Sequence, residues 1–187
     1  MSVEIIFETH STSVDNEAGI ASGWGDPPLS DLGRQQAREL GERHQGDEID
    51  ALFCSDLRRA LETAKIAFGD SMAITADPRL RECDYGTMTG LSATLIAKER
   101  PRRLEVPFPE GESLRDVLGR VRSYLDDLLR DWNGKRVLVI GHNATFMSLE
   151  HLLGRRALEE VAAAEFVWQP GWRYVLGAVR TRLAATR

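Results

Sequence analysis

The sequence predicts an α/β fold of three layers, with helices on both faces of a mostly parallel central sheet. Short β-rich runs alternate with helical patterns along the chain, as strand-helix-strand units require. The run Arg136–Ile140 is apolar without alternation, the pattern of a central strand covered on both faces. A length of 187 residues suits one domain with one core, and no repeat or long linker divides it.

The elements follow in order. Val3 to Glu8 is a β-rich run that gives way to a polar loop, Thr9 to Asn16, and a Gly- and Pro-containing segment, Gly19 to Pro28. Ser30 caps a helix to about His44, with Leu32, Ala37 and Leu40 as its apolar stripe. Ile49 to Cys54 is the next strand. Ser55 is the predicted N-cap of a helix in which Leu57, Ala60, Leu61, Ala64 and Phe68 recur at helical spacing. Met72 to Thr75 reads as a weaker strand, Leu80 to Gly90 as a loop, and Ser92 to Arg100 as a short helix ended by Pro101. Between Ser113 and Trp132, Leu114, Val117, Leu118, Val121, Leu125, Leu128 and Leu129 make one continuous helical stripe closed by Gly134. A helix from about Ala144 to Leu153 follows the central strand. Phe166 to Gln169 and Trp172 to Leu176, flanking Pro170 and Gly171, are expected to close the fold as paired strands.

Composition narrows the function. Apolar residues make up 42% and charged residues 28%, with 24 Lys plus Arg against 29 Asp plus Glu, so a broad basic face for nucleic acid is not expected. No apolar run reaches the roughly 18 residues of a membrane span, and Met1 to Glu4 has no basic leader; a cytoplasmic location is the expectation. Cys54 and Cys83 are too few for a disulfide framework.

In an open α/β sheet, ligands bind beyond the carboxyl ends of the strands. His10 follows the first strand, Arg58 and Arg59 open the helix after the second, and His142 follows the most strand-like run, so two histidines and an arginine pair can surround a phosphoryl group. A single histidine at a strand end is more often structural; two at equivalent ends weaken that reading. Rival chemistries fail on spacing. A cysteine phosphatase needs Arg six residues after Cys, where Ala60 and Thr89 stand instead. There is no Walker A loop, Gly-x-Gly-x-x-Gly or Gly-x-Ser-x-Gly elbow, and no His-Glu-x-x-His supports zinc at His10 and His142.

These residues resemble the histidine phosphatase superfamily, the phosphoglycerate mutase-like fold, over nearly the whole chain. Thr9-His10-Ser11 stands at the family's Arg-His-Gly tripeptide, followed by Asn16 and by Pro28-Leu29-Ser30 through Gly33, Gln36 and Ala37. Ser55 to Ala64 resembles the second signature, Leu80-Arg81-Glu82 with Gly86 and Gly90 the third, and Gly111-Glu112-Ser113 and Val139 to His142 complete the order.

The resemblance implies that His10 attacks phosphorus to form a phosphohistidine, that Arg59 and His142 neutralise the equatorial oxygens with Asn16 nearby, and that Glu82 protonates the departing alkoxide. It implies no metal and no cofactor. The family's arginine before the nucleophile is replaced by Thr9. Three consequences are open: Arg58 or Arg81 supplies the charge, the pocket serves a less highly charged substrate, or the chain binds phosphate esters without cleaving them. The leading expectation is a phosphatase for a small phosphorylated metabolite; the alternatives are a mutase-type phosphotransferase and a non-catalytic binder. The compact segment between Gly90 and Gly111 favours hydrolysis over transfer. Lys98, Arg100, Arg102 and Arg103 read as a solvated surface, Trp168 and Trp172 as core, and His44 and His151 receive no role. Apolar edges near the C-terminal strands would suit a homodimer.

Overall fold

In the computed structural model, which describes residues 2–69 and 71–177, five strands form one sheet: β1 (Ser2–Thr9), β2 (Ala51–Cys54), β3 (Ile74–Ala76), β4 (Arg136–Gly141) and β5 (Trp172–Gly177). Their order is β3-β2-β4-β1-β5. β4 is central, and Val137, Leu138, Val139 and Ile140 are all buried, which explains the absence of alternation. The first four strands are parallel, and β5 runs antiparallel along the outer edge of β1. The architecture is the expected α/β/α sandwich.

The helices are α1 (Val14–Glu17), α2 (Asp31–Arg43), α3 (Arg58–Phe68), α4 (Ala93–Glu99), α5 (Leu114–Asp131), α6 (Asn143–Leu152) and α7 (Leu158–Ala163). Strand alternation divides the core. Ile6, Leu52, Cys54, Leu138 and Ile140 pack on Ala60 and Ala64 of α3, whereas Val3, Ile5, Phe7, Phe53, Val137 and Val139 join the stripe of α5. Each fully buried Val, Leu or Phe contributes about 1.5–3 kcal/mol, so α5, which buries seven residues, is a principal anchor. Its start is set by a capping box: the Ser113 hydroxyl accepts from Asp116 N and the Asp116 carboxylate accepts from Ser113 N. Ser30 caps α2 as expected, accepting from Gly33 N at 3.1 Å. Gly33 also lets α2 press on the loop after β1, since a Cβ there would lie 1.9 Å from the Thr12 carbonyl oxygen.

Three expectations are corrected. The helix after β2 begins at Arg58, not at Ser55: the Ser55 hydroxyl accepts from Leu57 N and shapes the turn, while Arg58 N donates to Asp26 from a distant loop. Residues 166–169 are irregular, and among the described residues β5 alone closes the sheet, pairing with β1 from Ser2 opposite Gly177 to Phe7 opposite Trp172. That open edge offers a complete ladder, so no hairpin partner is needed. Trp172 packs on Phe7 and Phe146 in the core, but Trp168 is 54% exposed beneath the Arg43 guanidinium.

Candidate active site

The parallel register of β1 and β4 places Thr9 opposite Gly141, so the next residue on each strand, His10 and His142, emerges at adjacent carboxyl ends. His10 N donates to the Gly141 carbonyl at 2.9 Å, and the two imidazole centroids are 4.9 Å apart. His10 Nδ1 lies 2.7 Å from the Ser11 carbonyl oxygen, which only an Nδ1–H can satisfy. The Nε2 lone pair is therefore exposed to the site, where it meets the Arg59 Nε–H at 3.3 Å. Burial, reinforced by the Arg59 charge, drives the His10 pKa down to about 3, so the ring is neutral across the physiological range.

Arg59 is 2% exposed on the first turn of α3. Its two terminal nitrogens donate to the carbonyls of Gly25 and Gly23 at 2.8 and 2.9 Å, and Gly23 takes a φ of +49° that favours glycine. The Thr63 hydroxyl donates to the Arg59 carbonyl and accepts from Ser11 N, tying α3 to the loop that carries His10. His142 is fully buried, and neither ring nitrogen has a protein hydrogen-bond partner. Burial and then the Arg59 charge hold its pKa well below the ordinary histidine value. With no protein group engaging it, the buried imidazole beside a guanidinium is free to hydrogen-bond an acceptor brought by a ligand.

Glu82 lies across the N-terminus of α6, its Oε1 accepting from Cys83 N at 2.8 Å and Ala144 N at 3.2 Å. Its backbone carbonyl accepts from Trp24 Nε1 and from Arg120. Arg120 is a positioning residue that sequence reasoning missed. It grips the Glu112 carboxylate through two nitrogens and the carbonyls of Arg79, Arg81 and Glu82, fixing the strap that carries Glu82. Its only signal was an arginine in α5 eight residues after Glu112.

The structure brings His10, Arg59, Glu82, His142, Asn16 and Thr9 together and leaves Arg58 and Arg81 outside. Asn16 borders the cavities beside His10, its side-chain oxygen engaged by the Ser13 N–H and hydroxyl. Arg58 pairs with Glu62 on the exposed face of α3. Arg81 clasps Asp56 through two nitrogens and stacks 4.7 Å over Trp24. Neither borders the cavities at His10, which corrects the expectation that one of them supplies the charge absent at Thr9; both are consumed by carboxylates nearer to hand. In the basic segment, Arg102 and Arg103 pair with Glu99, whereas Arg100 turns into the cavity that holds Arg59. His44, given no role from sequence, bonds Asp47 and the buried Glu8 two residues before His10. Among the described residues, no three His, Cys, Asp or Glu side chains cluster as metal ligands.

Comparison with known proteins places the chain among relatives of known family. The chain is 32% identical over 178 residues, 86% of this chain and 84% of the relative, to a 2,3-bisphosphoglycerate-dependent phosphoglycerate mutase of Methylorubrum extorquens. Among solved structures it is similar to Bacillus stearothermophilus YhfR, with a TM-score of 0.81 and 27% identity over 92% of this chain and 90% of that one. It is also similar to a mycobacterial glucosyl-3-phosphoglycerate phosphatase, with a TM-score of 0.74 and 25% identity over 88% and 85% of the two chains. The model of the histidine phosphatase superfamily (branch 1) matches residues 5–166, and the chain belongs to that superfamily.

Proposed function

We propose that this protein is a metal-independent phosphatase that hydrolyses a small phosphorylated metabolite through a phosphohistidine at His10. The observation that carries the reading is the Nε2 lone pair of His10, held by the Ser11 carbonyl on the opposite nitrogen and facing Arg59 at 3.3 Å. A bound phosphoryl oxygen takes over the Arg59 Nε–H and frees the lone pair to attack phosphorus. His142 stabilises a second oxygen. As the ester P–O bond breaks, Glu82 passes a proton to the leaving oxygen; water then attacks the phosphohistidine, Glu82 takes its proton, and the P–N electrons return to His10.

Hydrolysis is favoured over transfer because an open cavity of about 590 Å³ lies beside His10 and gives water a route to the intermediate. The mutase reading draws on the named relatives and on Arg100, a cation in the smaller cavity able to grip a second anionic group of a phosphoglycerate. The test is p-nitrophenyl phosphate hydrolysis in excess EDTA with the His10→Ala protein as blank. Turnover that depends on His10 and ignores the chelator is expected. Phosphate-ester binding with no turnover and no phosphohistidine would instead identify a non-catalytic binder.

A further inference from the structure

His10 stands at the junction of two cavities. The larger, about 590 Å³, runs from Thr9 and Ser11 along α2 past Gln36 and Leu40 to Trp168. The smaller, about 320 Å³, lies among Arg59, Tyr85, Ile96 and Arg100. Glu82, Asn16 and Phe166 border both. A phosphorus atom held at His10 therefore has room for an organic substituent on two sides.

The charge around His10 is low for a phosphomonoester. Such a group carries about −1.5 to −2 near neutral pH and is ordinarily met by more than one cationic donor. Here Arg59 is the guanidinium that touches the nucleophile, two of its nitrogens already serve glycine carbonyls, and Arg100, the other cation of the smaller cavity, makes no hydrogen bond to His10. The cation of the larger cavity, Arg43, reaches the Glu8 carboxylate at 3.4 Å and lies over the Trp168 ring. Arg58 and Arg81 are paired elsewhere. Beside the nucleophile the larger cavity presents Thr9, Ser11 and Thr12, whose neutral hydroxyl-bearing side chains suit an esterified oxygen rather than a full negative charge.

We infer that the site hydrolyses phosphodiesters, seating the retained ester group in the larger cavity beside Thr9, where one guanidinium suffices for a singly charged phosphoryl group. The inference rests on the reading of His10 as the nucleophile. His10 Nε2 forms a bond to phosphorus and one P–O ester bond breaks, the departing alkoxide taking the proton of Glu82. Water then attacks phosphorus and gives a proton back to Glu82, and the P–N bond breaks. The products are one alcohol and one phosphomonoester, and no oxidant or metal enters the balance.

The experiment compares kcat/KM for bis(p-nitrophenyl) phosphate and p-nitrophenyl phosphate on the full chain in EDTA, with the His10→Ala protein as blank. A diester value above about one-hundredth of the monoester value, the span of one lost charge-stabilising donor, supports the inference, and a smaller one overturns it. Monoester turnover without diester turnover overturns this inference alone, whereas no turnover of either substrate overturns the phosphatase reading with it. Thr9→Arg, which adds a cation and fills the larger cavity, should lower the diester-to-monoester ratio by about a hundredfold. Glu39→Trp, on the exposed face of α2 where it borders the same cavity, should lower that ratio without a change in the core; unchanged ratios in both variants would place the retained ester elsewhere and overturn the assignment.

Discussion

The imidazole of His142 lies 4.9 Å from that of His10, centroid to centroid, with both of its nitrogens buried and unpartnered. A ligand at His10 would complete its hydrogen bonding, so on the proposed mechanism its contribution belongs to the bound phosphoryl group. His142→Ala is expected to lower kcat by about a hundredfold or more while leaving the fold intact, since it also removes an unsatisfied polar group. Stopped and steady-state assays with p-nitrophenyl phosphate check this. A kcat within about threefold of the parent would remove His142 from the chemistry.

Arg58 and Arg59 are neighbours in sequence with opposite expected outcomes. Arg58 is exposed and pairs with Glu62, a contact worth about 0.5 kcal/mol or less, so Arg58→Ala should change activity little. Arg59→Lys cannot span the Gly23 and Gly25 carbonyls while facing His10, and is expected to cost about 1–3 kcal/mol of stability and about a hundredfold in kcat/KM. Urea unfolding and kinetics on the two proteins decide it. Equal behaviour of the pair would contradict the placement of the guanidinium.

The two active-site histidines make the unliganded protein acid-sensitive. Above pH 6.5 neither the folded nor the unfolded state holds their protons. Below it the unfolded chain binds protons that the folded His10 refuses down to about pH 3, and burial beside Arg59 sets the folded His142 against protonation in the same direction. Stability therefore falls as pH falls through that window, by about 1.4 kcal/mol per pH unit at most for His10, with His142 acting in the same direction. His44 has the opposite sign. Its hydrogen bond to Glu8, together with Asp47, raises its pKa, so its contribution is fully present below 6.5 and is lost as pH rises through the folded value. Denaturant titrations between pH 4 and 8 on the parent and on His44→Gln should show the variant's deficit shrinking at the alkaline end. A deficit independent of pH would contradict the charged state of His44.

Gly33→Ala tests the seat of the nucleophile loop. The added methyl would fall 1.9 Å from the Thr12 carbonyl oxygen, a backbone atom that can yield only by moving the loop two residues from His10. A loss of about 2–3 kcal/mol is expected, together with reduced kcat, by thermal melting and assay. Parent-like values would mean that α2 does not press on the loop.

Much of this architecture was readable in the chain. The unalternating run before Gly141 belongs in the middle of a sheet whatever surrounds it, because only a strand covered on both faces can bury every side chain. Ser30 and Ser113 mark helix starts by local chemistry, a hydroxyl reaching an amide three residues on. Ser55 misleads by the same rule, because the amide it serves is that of Leu57, and the helix waits for Asp26 to reach Arg58 from another loop. Trp168 misleads because aromatic content alone does not separate a core strand from a segment lying over a cavity.

The sequence by itself determined the α/β class, the placement of His10 and His142 at strand ends, and the order of motifs that marks the superfamily. These depend on local periodicity and on which residue follows which. The tertiary structure alone decided that β4 lies beside β1, bringing the two histidines together, that Arg59 rather than Arg58 or Arg81 faces the nucleophile, and that Arg120 and His44 brace the strap and the strand behind it. Adjacent helix positions point about 100° apart, and a guanidinium goes to whichever acceptor the folded chain brings within reach. Partners 25 or 49 residues away, such as Asp56 for Arg81 and His10 for Arg59, have no signature in the local sequence.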